Sequence, residues 1–211
     1  KYYATIDTLY TLILNTDEMT RADVPKTWKE LGDPKYKGKF VMANPALSGS
    51  AYNQLATFVQ LYGWYLVEDI VANAVIVPKS RLAYSLVAKG EYPFGVTEET
   101  KAYVEAAKGF PTVSIYPTDG MPMMGAGTGI IKNAPNMKNA ELLATFIGSN
   151  EGLDIVVNVR GRRVPRTDVK QPEGLPPIST LKVLYDFDLV KAAASRKAYL
   201  KKFDKIFSEK K

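Results

Sequence analysis

The sequence predicts an α/β fold built around a largely parallel sheet. Short apolar runs with strand character alternate with helical segments across the first half of the chain, which is typical of this fold class. Gly63, Gly90 and Gly109 stand where three of these helices end. The predicted strands are 10–15, 40–43, 74–77, 92–97, 112–116 and 128–132, and the predicted helices are 51–62, 64–73, 81–89, 98–108, 137–147, 151–159 and 188–208.

Two further segments are assigned from local signals. Thr27 and Glu30 have the spacing of a capping box and predict a short helix that stops before Pro34. The segment 117–129 is rich in Gly, Pro and Met and has little periodicity, so we expect a loop or crossover there.

Composition excludes several classes of function. The 211 residues are 46% hydrophobic and 24% charged, which is ordinary for a globular protein. Because cysteine and histidine are both absent, thiolate nucleophiles, Cys/His zinc sites and Ser-His-Asp triads are excluded. No apolar run approaches the roughly 18 residues of a membrane helix. Nothing in the sequence indicates catalysis, and no cofactor is expected.

The basic balance of the chain is unevenly distributed. The net charge is +6, and much of the excess lies in the arginines between 160 and 166 and in the tail 197–211. A positive balance favours anionic partners, but no uniformly basic groove with interleaved aromatics is evident, so we expect no nucleic acid partner. Since Lys1 is not an initiator methionine, we expect the numbering to begin after processing or partway into a longer product.

A loop of small residues is the first candidate binding site. Ser48, Gly49 and Ser50 lie between the strand 40–43 and the helix that follows it. Such a junction offers two hydroxyls and free backbone N–H groups to a phosphate or carboxylate. The alternative is an N-cap and turn without a ligand.

The next strand-to-helix junction supplies the second candidate. Thr97, Glu98 and Glu99 follow the strand 92–97, and parallel strands would bring them to the same edge of the sheet as Ser48. The alternative is a helix start whose acids complement the helix dipole.

Asp119 is the third candidate, as an acceptor for ligand hydroxyls. Its alternative role is the Asp-Gly of a tight turn.

Gly125, Gly127 and Gly129 resemble fragments of a nucleotide loop, but no Gly-Lys-Ser/Thr accompanies them, so no nucleotide site is predicted.

A series of short motifs runs through essentially the whole chain. In order they are Pro25-Lys-Thr-Trp-Lys-Glu-Leu, Asp33-Pro-Lys-Tyr-Lys-Gly-Lys, Asn44-Pro-Ala-Leu-Ser-Gly-Ser, Gly90-Glu-Tyr-Pro-Phe-Gly-Val-Thr, Tyr116-Pro-Thr-Asp-Gly, Asn133-Ala-Pro-Asn, Arg162-Arg-Val-Pro-Arg-Thr-Asp-Val and Pro172-Glu-Gly-Leu-Pro-Pro. Together they resemble the periplasmic solute-binding proteins of ABC importers, in particular the type II proteins that bind ferric iron, sugar phosphates or phosphonates.

The resemblance implies a two-lobed periplasmic binding protein fold with hinge crossovers. Residues 1–15 would form a strand near the hinge, and 16–111 with 165–211 would form the C-terminal α/β lobe. Residues 112–164 would form the crossover and part of the N-terminal lobe. Because the match begins partway along the family pattern, the N-terminal lobe is expected to be incomplete.

The resemblance also implies a ligand class. Iron-binding members place adjacent tyrosines after the strand that here leads to Thr97, Glu98 and Glu99, so an organic anion fits this chain better than ferric iron. By this resemblance, Ser48, Gly49 and Ser50 would contact the anionic group of the ligand. Thr97, Glu98 and Glu99 would contact its polar part, and Asp119 would bind its hydroxyls.

The expected role is that of a monomeric receptor, periplasmic or extracellular and either free or tethered to the membrane. Its lobes would close on a small anionic solute and deliver it to the membrane permease of an ABC transporter. The alternatives are an iron or iron-chelate receptor of the same family, a sensor domain that reuses the fold, and, ranked last, an enzyme on the same architecture.

Overall fold

Within residues 2–210, the computed structural model contains seven β-strands and seven α-helices. The strands are β1 (Tyr2–Asn15), β2 (Phe40–Ala43), β3 (Val75–Val77), β4 (Phe94–Glu98), β5 (Thr112–Ile115), β6 (Met121–Gly129) and β7 (Val183–Leu184). The helices are α1 (Gly49–Tyr62), α2 (Trp64–Asn73), α3 (Ser80–Ala88), α4 (Glu99–Ala106), α5 (Met137–Ile147), α6 (Asn150–Arg160) and α7 (Leu189–Glu209). Lys1 and Lys211, which fall inside the predicted domain ranges, lie outside the described residues.

The chain folds into two compact units. The larger unit comprises 10–122 and 178–210, and the smaller comprises 2–9 and 123–177. These ranges differ from the predicted domain boundaries at three places: 1–15 is divided after Leu9, 112–122 belongs to the larger unit, and 165–177 belongs to the smaller one.

The differences at 112–122 and 165–177 each have a physical reason. Segment 112–115 belongs to the larger unit because it pairs with the second half of β1, from Leu12 to Asn15. Segment 165–177 belongs to the smaller unit because Val169 packs with Leu153 and Val157 of α6.

In the larger unit, three parallel strands carry the main sheet. β2 pairs in parallel with both β3 and β4, and β4 then pairs with the antiparallel strand β1. The sheet is therefore mixed rather than largely parallel. Its core includes Ile13, Val41 and Val87, with α3 and α4 contributing Ala83 and Ala102.

The α-helices of this unit begin and end within two residues of the predicted positions. Ser48 caps α1, and Gly63, at φ 76°, ends it in a conformation that favours glycine. Only half of the capping box forms: Glu30 N donates to Thr27 Oγ1 at 3.2 Å, but the Glu30 carboxylate accepts from Lys26 N at 3.0 Å. The segment folds as a 3₁₀ turn over Lys29–Gly32.

The smaller unit contains a β-ribbon and two helices. Residues from Tyr2 to Leu9 of β1 pair antiparallel with β6, with a bulge between Ala4 and Ile6. The prediction of a loop over 117–129 is therefore wrong from residue 121 onward. Backbone pairing with β1 holds this glycine-rich strand extended, and such pairing leaves no trace in side-chain periodicity.

A buried arginine anchors the smaller unit. Arg163 is only 2% exposed, its backbone oxygen accepts from Asp7 N at 3.0 Å, and its Nη2 donates to Pro176 O at 2.7 Å. Burial raises the pKa of Asp7, and the Arg163 charge partly opposes that rise. Arg163 thus stabilises the smaller unit. Arg166 pairs with Asp168 in the same unit and lowers the pKa of that carboxyl to about 2.

Candidate functional site

The carboxyl ends of three parallel strands meet at one edge of the larger unit. The registers Ala43↔Val77 and Val41↔Gly95 fix β3 and β4 beside β2, so the helices that follow these strands all begin at this edge. The prediction that the loop at Ser48 and the junction at Thr97 share an edge is confirmed.

The loop before α1 is held by its own hydrogen bonds. Asn44 N donates to Val77 O at 2.7 Å, and Asn44 Oδ1 accepts from Ala46 N at 2.8 Å. Ser48 Oγ accepts from Ala51 N at 3.4 Å and lies 3.1 Å from Ser50 Oγ. The two hydroxyls are therefore paired at the helix N-terminus before any ligand arrives.

Two backbone donors remain at this helix end. Within the described chain, the N–H groups of Gly49 and Ser50 donate to no protein acceptor, as expected for the first turn of a helix. Gly49 is exposed, and a Cβ placed on it would meet no atom within 4 Å. Because α1 is 14 residues long, its dipole also favours an anion at this end.

The second junction places Thr97 and Glu98 differently. Thr97 is only 4% exposed and lies opposite Thr11 of β1. Glu98 is half-buried at the start of α4, and its carboxylate pairs with Lys101 Nζ at 3.4 Å. The edge therefore carries one carboxylate whose charge is offset by a neighbouring lysine.

Glu99 lies in the protein core instead of at the sheet edge. Its side chain is fully buried, and its Oε2 accepts from the Tyr116 hydroxyl at 3.0 Å. Its backbone oxygen accepts from Ser114 Oγ at 2.9 Å. Both contacts fasten α4 to the segment that contains β5, so the structure does not bring Glu99 to the surface with Ser48.

Asp119 is also held apart from the other candidates. Its Oδ2 accepts from Trp28 N at 2.8 Å, from Lys29 N at 3.3 Å and from the Tyr62 hydroxyl at 2.6 Å. Its Oδ1 is shielded from solvent. Tyr62 ends α1, so this carboxylate lies about 20 Å from Ser48 along the helix axis.

These contacts give Asp119 a structural task. Burial, together with the hydrogen bond to Asp119, raises the pKa of the Tyr62 hydroxyl, which keeps this donor protonated. The carboxylate caps the 3₁₀ turn at Lys29–Gly32 and ties it to the end of α1.

Asp119→Ala is expected to lower the free energy of unfolding by about 2 kcal/mol, because it leaves buried donors without their charged acceptor. Chemical denaturation followed by tryptophan fluorescence measures this loss. Ligand affinity should change less than about twofold. A loss of affinity without a loss of stability would instead assign Asp119 to the ligand.

Sequence reasoning missed three contributors to the edge. Tyr10 lies opposite Glu98 in the sheet, and its hydroxyl accepts from Asn53 Nδ2 at 3.0 Å. Lys79 precedes α3, which starts at the same edge. The β3-to-α3 junction could have been found by the reasoning used for the other two, whereas Tyr10 stands in an apolar strand and carries no separate signal.

Two surface cavities elsewhere on the larger unit contain none of the predicted site residues. One, of about 390 Å³, is lined by residues between Met19 and Lys39. The other, of about 290 Å³, lies between α3 and α4 beside Tyr84 and Phe110. In the part of the chain that the structure covers, no group of three or more acids is placed to hold a metal ion.

Comparison with known proteins identifies the family. The model of the family described as bacterial extracellular solute-binding protein matches residues 2–180. An uncharacterized protein of Haemophilus influenzae is 31% identical over 208 residues, which are 90% of this chain and 58% of that protein. The chain thus spans little more than half the length of this relative.

Solved structures agree with this assignment. The periplasmic binding protein AfuA from Actinobacillus pleuropneumoniae, with exogenous fructose-6-phosphate bound, is 26% identical with a TM-score of 0.84, over 98% of this chain and 68% of that one. Iron-bound HitA from Pseudomonas aeruginosa is 19% identical with a TM-score of 0.80, over 96% and 69%. The second likeness shows the fold alone.

These matches fix the class of protein. The family model and AfuA are both of binding proteins, in agreement with the binding role that the sequence predicts. None of the helices in residues 2–210 has the length and apolar character needed to cross a bilayer. With its mixed α/β architecture and a family match over most of its length, the chain belongs to the bacterial extracellular solute-binding proteins.

Proposed function

We propose that this chain binds a small organic anion that carries a phosphate or phosphonate group, at the sheet edge where α1 begins. The observation that carries the proposal is the cluster of donors at Ser48, Gly49 and Ser50, which offers two hydroxyls and two unused N–H groups at the positive end of a 14-residue helix. The two N–H groups and the hydroxyl whose proton is not used between Ser48 and Ser50 can donate hydrogen bonds, as phosphate oxygens require.

The other groups at the edge suit the remainder of such a ligand. Glu98 and the Tyr10–Asn53 pair are polar and can exchange hydrogen bonds with sugar hydroxyls. Leu47, an exposed side chain in the same loop, can cover the carbon skeleton. The edge thus offers hydrogen-bond donors to the anionic group of the ligand and both polar and apolar side chains to the rest of it.

Likeness to AfuA supports the same ligand class. That protein is the one solved with fructose-6-phosphate bound, and its identity to this chain is 26%. We assign the anion-binding role to Ser48, Gly49 and Ser50 and a polar contact to Thr97 and Glu98. We give Glu99 and Asp119 supporting roles in the fold, because their carboxylates are engaged by Tyr116 and by Trp28 and Tyr62.

Ferric iron is the competing ligand, and the chemistry of the edge favours the anion over it. Fe(III) prefers several anionic oxygen donors around one point. Of the two carboxylates at the second junction, one is paired with Lys101 and the other is buried against Tyr116. The edge therefore presents mainly hydrogen-bond donors.

The cellular role that follows is solute capture for import. We infer that the chain works outside the cytoplasm, in the periplasm or at the cell surface, and that its loaded form delivers the solute to the permease of an ABC transporter. A sensor domain on the same fold would bind the same ligand, but without a transporter partner.

Thermal unfolding tests the ligand class. We expect fructose 6-phosphate to raise the melting temperature by several degrees at about a hundredfold excess over Kd, where binding contributes about 2.7 kcal/mol. Fructose and inorganic phosphate serve as matched controls, each lacking one half of the ligand. A comparable rise with fructose alone, or a rise with ferric citrate only, would contradict the proposal.

A further inference from the structure

The C-terminal segment 189–211, which is the last helix and the two lysines that follow it in the sequence, accounts for the whole net charge of the protein. Residues 189–211 contain eight Lys and Arg against two acids, a balance equal to the +6 of the complete chain. Residues 1–188 are therefore electrically balanced. This concentration of charge in one segment favours an anionic partner, and the small-solute site at the start of α1 does not use it.

The helix is fixed on the larger unit by its inner face. Phe203 and Ile206 are buried, and the Tyr199 ring meets the Trp64 ring at 5.4 Å. Two cations at the border also pack on aromatic rings, Arg196 over Tyr52 and Lys202 over Trp64, each at 4.6 Å. The inner face is thus occupied, and the outer face is presented on a rigid support.

The outer face is a straight row of basic side chains. Lys197, Lys201 and Lys205, which we call the outer lysine row, are spaced four residues apart and all point away from the buried face. In the described part of the chain, Lys197 and Lys201 form no ion pair, while Lys205 lies 3.8 Å from Glu209. The row continues toward Val190, two helical turns before Lys197.

Exposed apolar side chains extend this surface at the helix start. Val190 is 80% exposed, Tyr185 is 74% exposed and Leu189 is 52% exposed. A basic helix face next to exposed aliphatic and aromatic groups is the pattern of surfaces that lie on membranes, where lysines meet headgroups and apolar groups enter the interface.

We propose that the outer face of α7 docks on the surface of an anionic phospholipid bilayer. Lysine supplies all cations of the outer row, and lysine is depleted at protein interfaces, where arginine is preferred for its bidentate contacts. Non-specific attraction of lysine to lipid phosphates needs no such geometry. Charge and exposed apolar groups therefore favour a lipid surface over an acidic protein.

Vesicle flotation with the 211-residue chain tests this inference. We expect the protein to float with phosphatidylglycerol-containing vesicles at low salt, to be released at high salt, and to ignore phosphatidylcholine vesicles. Changing Lys197, Lys201 and Lys205 together to Glu should weaken binding at least about a hundredfold. Val190→Ser should weaken it severalfold in the same vesicles.

A charge-matched variant separates this surface from net charge in general. Lys29, Lys37 and Lys39 are exposed elsewhere on the larger unit, and changing them to Glu alters the total charge equally. This control should keep most of the vesicle binding, with circular dichroism confirming that all variants fold. Equal losses in both variants, or binding only when the vesicles carry an acidic membrane protein, would overturn the proposal.

Discussion

Ser48→Asp is expected to abolish anion binding while leaving the fold intact. Asp is as good an N-cap as Ser, so α1 keeps its cap and gains a charge that suits its dipole. The same charge would face the ligand anion, and two like charges about 4 Å apart repel by about 4 kcal/mol near a protein surface. Affinity for fructose 6-phosphate should therefore fall at least about a hundredfold in calorimetric titration.

Ser149 provides the matched control for this substitution. It caps α6 in the smaller unit, where its Oγ accepts from Gly152 N at 3.2 Å, just as Ser48 caps α1. Ser149→Asp should leave the affinity unchanged. If Ser48→Asp binds the anion normally, the helix end is not the anion site; if it gains affinity for ferric iron, the competing ligand is favoured.

A large loss of stability is expected when Gly95, which lies inside β4 beside β2, is replaced by a larger residue. A Cβ on Gly95 would lie 2.8 Å from the backbone oxygen of Val41 and 3.1 Å from side chains of Val41 and Val87. Gly95→Val is expected to cost about 3 kcal/mol or more, because β4 can accommodate the side chain only by moving away from β2 and α3. Urea unfolding measures the loss.

Gly125 in β6 is the corresponding strand glycine with room around it. The nearest atom to an added Cβ is Asp7 Oδ1 at 4.0 Å, so Gly125→Val should be close to neutral or slightly stabilising. Equal costs at the two positions would show that strand glycines are needed for backbone freedom alone. We expect the difference to arise from the close approach of β2 and β4, which also builds the sheet edge.

Local signals made much of the larger unit predictable. The serine cap and the glycine stop predict α1, and the repeated strand-to-helix junctions predict that Ser48 and Thr97 share one edge of the sheet. These signals are readable because they act between residues close in sequence.

Long-range pairing was not predictable in the same way. β6 is extended because its backbone pairs with residues of β1 more than 100 positions away, and a glycine-rich segment has no side-chain pattern that reveals such a partner. The antiparallel direction of β1, which makes the sheet mixed, was hidden for the same reason.

The candidate site shows the same limit on a smaller scale. Glu98 and Glu99 are adjacent acids, and the sequence cannot tell that one pairs with Lys101 at the edge while the other is buried against Tyr116. Asp119 likewise looks like an exposed turn residue until Trp28 and Tyr62 are seen to donate to it. Residue type predicts that these side chains can bind polar groups, but tertiary packing determines which of them a ligand can reach.

Amide chemical shifts give the most direct test of the proposed anion site. Titration of the isotope-labelled chain with fructose 6-phosphate should produce saturable shifts that are largest at the backbone N–H groups of Gly49, Ser50 and Ala51, with smaller ones at Glu98. Saturation with these amides unmoved, and with the largest shifts at Tyr36 or Tyr84 in the two cavities, would contradict the assignment.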